Sequence, residues 1–538
     1  MAELTGSTDA GASRAQTRER RAAGRRTAYA AVSGTVLVVT AGALITASAI
    51  AAPPRSELDV PPPATSVPAG ILTGVCPEPL RLLAGNAAST DAEFSPVSES
   101  AATAVTTAVI SAAGASLPPA QLSALDSGDA VASLKDNPEV PLAGTRLAGV
   151  LAKQQVTSVT AFEAEPSGDQ PATANAVMGY TATDGDLAGL AAANCQTPSN
   201  DMWLLGARTT VGATAVLKLN NPSATAATVD LEIIGSEGRV EAGGSRGIVV
   251  APGQTRSIVL AGLASGQESA AVRVRSSGGP VSAFIEQSIL RGLTAGGVEI
   301  IEPTAAPAPR QVVTGVALQS PQATRELMEQ EGYDSVQPVL NVAVPGTTDA
   351  SVHLRVFGER GEVEIPGGGV FSVPAGTVGK IPLSELPAGT YSLDLSSDVA
   401  VAASAVFSRG TKPEEPVELA IAPADTRLGS EHLAVAAPGG SSTLVLTAPD
   451  GDAEVRVRAV GADGTLQEEK VIQVPGGRTL SLKPGDLGSG ELAAVLVSAL
   501  GDAVYGAQLV TGEGPGISVL PLPEGTSGSQ SIQVGIGY

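Results

Sequence analysis

The chain has 538 residues, of which 32 are basic and 54 acidic, and its formal net charge at pH 7 is −22. This balance argues against binding to nucleic acid or another anionic polymer through general charge attraction, so we expect no nucleic-acid partner. Hydrophobic residues make up 43% of the chain and aromatic residues only 2%. That composition predicts folded cores built from Val, Leu, Ile and Ala and argues against wholesale disorder.

The N-terminal region predicts export. Residues 1–27 form a basic segment, and residues 28–52 contain no charged side chain. A helix of that length spans roughly 35 Å, enough to cross a bilayer. We therefore predict a single-pass transmembrane anchor, or signal-anchor, with the arginines in the cytoplasm and the bulk of the chain outside the cell membrane. The alternative is a cleavable signal peptide and a secreted protein, because Ala47-Ser48-Ala49 fits a small-x-small cleavage site.

Residues 53–70 are rich in proline and predict a stalk. Residues 71–202 predict a first exported β-rich domain. Within it, residues 98–114 suit a strand or a helix, because the stretch is rich in alanine and its threonines and valines allow strands as readily as a helix. Residues 187–195 follow an acidic turn and predict one or two helical turns. Strands are predicted at 71–76, 156–164 and 173–183.

Both cysteines, Cys76 and Cys195, lie in the predicted exported part. Two thiols in an oxidising compartment most often form a disulfide, so we predict a Cys76–Cys195 bond. Two free buried cysteines are the alternative.

The rest of the chain repeats a pattern three times, in units 203–310, 311–425 and 426–538. Each unit has an apolar strand ending at proline, an alternating strand ending in a glycine turn, a strand into a Pro-Gly-like turn and a closing hairpin. In the first unit Val229, Leu231 and Ile233 alternate with polar residues, which is typical of antiparallel strands with one buried face. The sequence therefore predicts a mainly β protein made of tandem immunoglobulin-like antiparallel β-sandwich domains.

A search for catalytic residues finds no convergent set. The chain contains only two histidines, His353 and His432, and they lie in different units, so a histidine triad or metal cluster is not expected. Glu286 and Glu299 are candidates for the carboxylate pair of a glycosidase, but their spacing is not specific for one.

The remaining candidates also favour structural roles. Asp450-x-Asp452-x-Glu454 begins like a calcium loop but lacks its glycine and its final glutamate, so these residues are interpreted as turn residues; weak calcium binding stays open. Trp203 lies in an apolar context, and we expect it to pack in a core rather than to stack on a sugar. No catalytic, cofactor or metal site is predicted.

Several short motifs together carry a family resemblance. They are Val75-Cys76-Pro77, Gly185-Asp186-Leu187-Ala188-Gly189-Leu190, Cys195, Trp203-Leu204-Leu205-Gly206, Val211-Gly212 and Leu217-x-Leu219-x-Asn221-Pro222. With these motifs the chain resembles the actinobacterial envelope or secreted proteins grouped as domain of unknown function 5719. The resemblance implies an actinobacterial, surface-located, β-rich protein, and it supplies no reaction and no catalytic residues.

These observations lead to one main hypothesis and two alternatives. The main hypothesis is a non-catalytic, membrane-anchored envelope protein that acts as a scaffold or accessory subunit for cell-envelope polymers or their biosynthetic enzymes. Its expected partners are the membrane and envelope proteins or glycans, and no cofactor is expected. The alternatives are an enzyme that acts on envelope glycans through acidic residues, and a surface adhesin.

Overall fold

The structure is a computed structural model that describes residues 64–66, 69–82, 97–135, 142–292, 294–365, 367–410, 412, 415–526 and 531–533. The predicted basic segment, the membrane segment 28–52 and most of the stalk lie outside these residues. Within the described ranges, no helix is long and apolar enough to cross a membrane. The main compact unit is Ser66–Ser531. A second unit includes most of a two-stranded sheet made by β1 (Ala64–Ser66) and β35 (Ser531–Gln533).

The main unit is built almost entirely of antiparallel strands, as predicted from the alternating pattern. In Ala227–Gly235, for example, Val229, Leu231 and Ile233 are buried in a core while Asp230 is exposed. These strands form four β-sandwiches, each of two sheets.

The first sandwich covers the predicted first exported domain. Its sheets have the strand orders β2-β7-β4-β5 and β6-β3-β8-β9. The strands are β2 (Leu72–Cys76), β3 (Ala102–Ile110), β4 (Ala120–Ala124), β5 (Ala130–Leu134), β6 (Ala148–Gln155), β7 (Thr160–Ala164), β8 (Thr173–Ala182) and β9 (Gly189–Asn194).

Two local predictions in this sandwich are decided by the structure. The ambiguous stretch 98–114 contains strand β3, not a helix. The prediction of helical turns at 187–195 is wrong, because Gly189–Asn194 is strand β9 and all its residues after Gly189 are buried. Its three alanines are small enough to pack on both faces of the sheet, and that tertiary burial overrides the helix propensity of alanine.

The second sandwich has the orders β10-β16-β12-β13 and β15-β11-β17-β18, with β14 also paired to β12. A short 3-10 helix, Leu260–Gly262, follows β15. The strands are β10 (Asp201–Ala207), β11 (Ala213–Asn220), β12 (Ala227–Gly235), β13 (Gly238–Val240), β14 (Ile248–Val250), β15 (Thr255–Val259), β16 (Ala270–Gly278), β17 (Ser282–Arg291) and β18 (Thr294–Ile301).

In the third sandwich one long strand, β25, takes part in both sheets, pairing with β19 and β21 in one and with β20 and β26 in the other. A helix, Pro321–Met328, starts at Ser320, whose side chain accepts a hydrogen bond from the Ala323 N–H, and a 3-10 helix covers Asp334–Val336. The strands are β19 (Ala308–Leu318), β20 (Val339–Ala343), β21 (Ala350–Gly358), β22 (Gly361–Val363), β23 (Val370–Val373), β24 (Val378–Pro382), β25 (Gly389–Arg409) and β26 (Glu418–Pro423).

The fourth sandwich has the orders β27-β32-β29-β30 and β31-β28-β33-β34, and a short helix, Pro484–Leu487, follows β31. The strands are β27 (His432–Val435), β28 (Ser441–Thr447), β29 (Ala453–Gly461), β30 (Leu466–Val474), β31 (Thr479–Leu482), β32 (Leu492–Gly501), β33 (Tyr505–Thr511) and β34 (Ile517–Pro521).

All four sandwiches share one topology. Each sandwich has eight strand positions in chain order when the short extra strands β14 and β23 are left out and β25 is counted as the sixth and seventh positions of the third sandwich. One sheet then runs first-sixth-third-fourth and the other fifth-second-seventh-eighth. The sequence pattern showed three such units, and the structure adds a fourth, because the first sandwich has the same order. In the first sandwich β2 ends at Cys76 and β3 begins at Ala102, and this wide spacing makes the repeat hard to recognise in the sequence.

The last strands of the four sandwiches, β9, β18, β26 and β34, are here called the axial strands. Strand β9 contacts β18 and β34, and β26 contacts the same two strands, so the contacts form a closed cycle. The four sandwiches therefore surround these strands as a ring. Between the first and fourth sandwiches, the Asn175 side chain donates to the Leu433 carbonyl at 3.1 Å.

Candidate functional site

The predicted disulfide is confirmed: Cys76 at the end of β2 is bonded to Cys195, directly after β9. Both residues are buried, and the bond joins the two sheets of the first sandwich at its edges. The sequence separation of 119 residues makes it a long-range link.

The two predicted carboxylate candidates do not form a pair. In the register of β17 and β18, Gln287 lies opposite Glu299, so Glu286 and Glu299 point to opposite faces of the sheet. Lys218 forms an ion pair with Glu286, and the same Lys218 Nζ lies 2.6 Å from Glu78 Oε1. Burial raises the pKa of Glu286 to about 8, against the opposing effect of Lys218.

Glu299 belongs instead to a set of buried acids at the axial strands. Its Oε1 accepts hydrogen bonds from the Ser518 hydroxyl at 2.8 Å and from the Ile300 N–H at 3.0 Å. Its Oε2 accepts from the Ile421 N–H at 3.3 Å. One carboxyl group thus connects the second, third and fourth sandwiches.

Glu418, in β26, has the same role from the third sandwich. Its Oε2 accepts from the Leu190 N–H of the first sandwich at 2.6 Å, and its Oε1 accepts from the Val298 N–H of the second at 2.9 Å. Glu302, which follows β18, accepts from the Asn194 N–H at 3.0 Å. Each axial strand is the edge of its own sheet and leaves N–H groups unpaired there. The carboxyl oxygens of these glutamates satisfy the buried donors.

Burial dominates the electrostatics of these acids. It raises the pKa of Glu302 and Glu418 to about 8 and holds the pKa of Glu299 well above its ordinary range. Asp425 accepts hydrogen bonds from the N–H and hydroxyl of Thr314, both at 2.8 Å, and burial raises its pKa to about 8. Glu302, Glu418 and Asp425 were not predicted from the sequence. The signal that marks Glu299 and Glu418 is a Val-Glu step opening or interrupting an apolar run near the end of a repeat.

The histidines and the acidic turns have separate partners. The Gly429 N–H donates to His432 Nε2 at 2.7 Å, so the opposite ring nitrogen, Nδ1, donates to the Pro523 carbonyl at 2.7 Å. Burial lowers the pKa of His432. His353 lies on the exposed face of β21.

Asp450 is paired with Arg310 at 2.6 Å. Among the residues the structure describes, no group of three or more His, Cys, Asp or Glu side chains is arranged to hold a metal ion.

Trp203 packs at the interface of the second and third sandwiches. It is 5% exposed and lies in an apolar cluster with Ala343, Val378 and Ala402. The guanidinium of Arg273 covers its ring at 5.4 Å from the centroid. The expected packing role of Trp203 is confirmed, at an interface between sandwiches rather than inside one.

Next to this interface two neighbouring cavities form what we call the interface cleft. The first, of about 250 Å³, lies between the second and third sandwiches and is lined by Arg208, Asn341 and Lys380 among others. The second, of about 430 Å³, is lined by Arg291 and shares Arg208, Ile289 and Ser335 with the first. Lys380 forms an ion pair with Glu268 at the wall of the first cavity. A larger cavity of about 580 Å³ lies between the first and fourth sandwiches, and its walls are mainly Ala, Gly and Pro.

Comparison with known proteins gives one match. The model of a family described as Family of unknown function (DUF5719) matches residues 150–485, more than half of the chain. No curated protein and no solved structure matches the chain.

Proposed function

Because the chain belongs to the Family of unknown function (DUF5719), whose description names no activity, we propose its function from its own residues. We propose a non-catalytic envelope protein that acts as a scaffold or accessory subunit for cell-envelope polymers or the enzymes that make them. In this proposal residues 28–52 anchor the chain in the membrane of an actinobacterium, residues 53–70 form a stalk, and the immunoglobulin-like sandwiches lie outside the cell membrane.

One observation carries the proposal: burial raises the pKa of five acids in the described part of the chain, and three of them join neighbouring sandwiches. Glu299, Glu302 and Glu418 accept backbone N–H groups from neighbouring sandwiches. Perturbed, buried carboxylates mark candidate active sites in general, but structural networks perturb pKa values as well. Here the hydrogen bonds of these acids run between strands, which supports a rigid, multi-surface scaffold.

The test is capture from membranes. The tagged full chain, solubilised in detergent, is expected to recover a specific envelope protein or polymer that a tagged chain of unrelated sequence does not recover. Recovery of no specific partner at matched expression would contradict the proposal.

A second experiment tests the enzyme alternative. The full chain is incubated with purified envelope polysaccharide, and released sugars are measured by mass spectrometry. Under the scaffold proposal no sugar is released. Release that is lost in Glu286→Gln or Glu299→Gln, but kept in Glu491→Gln at an exposed position, would overturn it.

Whether the predicted membrane anchor is retained is tested separately, by sequencing the N-terminus of the mature protein. An uncleaved anchor keeps residues 28–52. A mature chain that begins near residue 50 would make this a secreted protein and would remove the anchor from the proposal.

A further inference from the structure

Arg291, the last residue of β17, is a buried cation with unused donors. It is 8% exposed, its Nη2 donates to the Ser335 hydroxyl at 2.9 Å, and its guanidinium lies 4.9 Å from the centre of the Tyr333 ring. Its Nε and Nη1 have no hydrogen-bond partner, and no ion pair to it occurs among the described residues. Burial lowers its pKa to about 10, so it keeps its charge at neutral pH. A buried guanidinium without a matching anion is unfavourable, unless an external anion supplies the acceptors.

Asn341, in β20, is a second residue that lines the interface cleft and has an unsatisfied polar side chain. It is 1% exposed, and neither its Nδ2 nor its Oδ1 has a hydrogen-bond partner. It lies opposite Lys380 in one neighbouring strand and opposite Ser404 in the other, and the hydroxyl of Ser404 is also without a partner. Buried polar groups are normally satisfied, and an occupant with polar groups of its own would supply the partners that this cluster lacks.

The two positions line one cleft. Arg291 lines the larger cavity and Asn341 the smaller, and the cavities share Arg208, Ile289 and Ser335. The larger cavity alone, of about 430 Å³, falls within the range of about 300–1,000 Å³ typical of small-molecule sites.

The chemistry of the cleft selects a ligand class. A guanidinium fork matches the planar oxygens of a carboxylate or the oxygens of a phosphate. An amide with one free donor side and one free acceptor matches hydroxyl groups, which both donate and accept. With a chain net charge of −22, long-range attraction does not gather anions, so recognition depends on these short-range donors.

We propose that the interface cleft binds an acidic saccharide unit, with its carboxylate or phosphate at Arg291 and its hydroxyls at Asn341. The inference rests on the proposed function and deepens it, because it names the part of an envelope polymer that this chain would hold. Arg208 and the Lys380–Glu268 pair line the same cleft.

The test is calorimetric titration of the full chain with four probes: D-glucuronate, glucose 1-phosphate, D-glucose and inorganic phosphate. The two acidic sugars are expected to bind more tightly than glucose. Arg291→Met is expected to weaken their binding about 30-fold or more, because it removes one partner of a buried charge-assisted contact. Asn341→Leu is expected to weaken the sugars about tenfold and to leave inorganic phosphate unchanged.

A matched control keeps the test specific. Arg355 also covers an aromatic ring, Phe357, at 4.7 Å, but it does not line the interface cleft. Arg355→Met is therefore expected to bind the acidic sugars like the wild type. If Arg291→Met does not fold, as judged by circular dichroism, Arg291→Lys keeps the charge and removes the fork, and the same loss of binding is expected.

Several outcomes would overturn the inference. They are no binding of either acidic sugar to the wild type, equal binding in Arg291→Met, or binding of inorganic phosphate as tight as that of glucose 1-phosphate with no effect of Asn341→Leu. The first result would leave only ordered water in the cleft, and the last only a simple anion site. Capture of an envelope partner without saccharide binding would refute this inference alone. Saccharide binding without any captured partner would refute the proposed function alone.

Discussion

Replacing Glu418 by glutamine is expected to change how the stability of the ring depends on pH. The folded pKa of Glu418 is about 8, against an ordinary value of 4.5, because the group is fully buried. At a pH between these two pKa values, Glu418 is protonated in the folded state and ionised in the unfolded state. A raised pKa contributes stability that is present below pH 4.5 and is lost as the pH rises through 8.

The size of the effect follows from the two pKa values. Between pH 5 and pH 8 linkage predicts that Glu418 alone removes about 3 kcal/mol from the free energy of unfolding. Glu418→Gln cannot titrate, so its unfolding free energy is expected to fall by about 3 kcal/mol less than that of the wild type over the same interval. At pH 5 the variant is expected to be the less stable protein. Its amide oxygen replaces only one of the two acceptors for Leu190 and Val298, and a lost acceptor costs about 1–3 kcal/mol.

The assay is urea unfolding at pH 5 and pH 8, followed by the fluorescence of Trp203. The chain has one tryptophan, and it lies at an interface between sandwiches, so its signal reports separation of the ring. Glu491→Gln, at an exposed position, is the control and is expected to follow the wild type. The reasoning is refuted if the wild type and Glu418→Gln lose the same free energy between the two pH values.

Three further perturbations have defined expectations. Replacing both Cys76 and Cys195 by serine removes a link between residues 119 positions apart. The free energy of unfolding, measured with urea, is expected to fall by about 5 kcal/mol in the chain-entropy model. An unchanged unfolding midpoint would contradict this expectation. Glu431→Gln weakens the bidentate ion pair with Arg146, whose two hydrogen bonds measure 2.7 and 3.2 Å. It is expected to lower the free energy of unfolding by about 1–3 kcal/mol and to speed proteolysis between the first and fourth sandwiches. An unchanged cleavage rate would contradict this. Trp203→Ala removes a large buried side chain and is expected to cost about 3–5 kcal/mol, measured as a shift in the thermal midpoint; a shift within error would mean that the second–third interface adds little stability.

The sequence predicts the elements of this protein better than their assembly. Period-two alternation around Val229 and Leu231 is a local signal, and it predicted half-buried strands that the structure contains. The disulfide followed from compartment chemistry and from there being only two thiols. The region 187–195 failed because an alanine-rich strand buried on both faces has no alternation to reveal it.

The ring of four sandwiches could not be predicted from these local patterns. Its closure brings Leu190 of the first sandwich beside Glu418 of the third, and no local pattern encodes a contact over that distance. The sequence also could not show whether the unspecific candidates Glu286 and Glu299 lie together. Acids are common in this sequence, and only the strand register shows that these two face opposite ways. The cleft at Arg291 likewise depends on which donors remain unpaired after folding, which sequence alone does not show.

The choice of glutamate at the axis has a physical reason that links stability to specificity. Edge strands present N–H donors. A carboxyl group has two oxygens that can accept and, when protonated, only one donor, whereas the NH2 group of glutamine would bring two donors to a place where donors are already in excess. Burying the group is unfavourable, as the raised pKa of Glu418 shows. The hydrogen bonds to Leu190 and Val298 form only in one register of β26 against its two neighbours, because a slip of one residue would turn Glu418 to the other face of its strand. We infer that the axial acids trade stability for a unique alignment of the four sandwiches. In Glu418→Leu, apolar contacts would still hold the ring, but β26 would lack its register-specific polar contact. We therefore expect faster hydrogen exchange at β9 and β18 than in the wild type, even where the free energy of unfolding is equal.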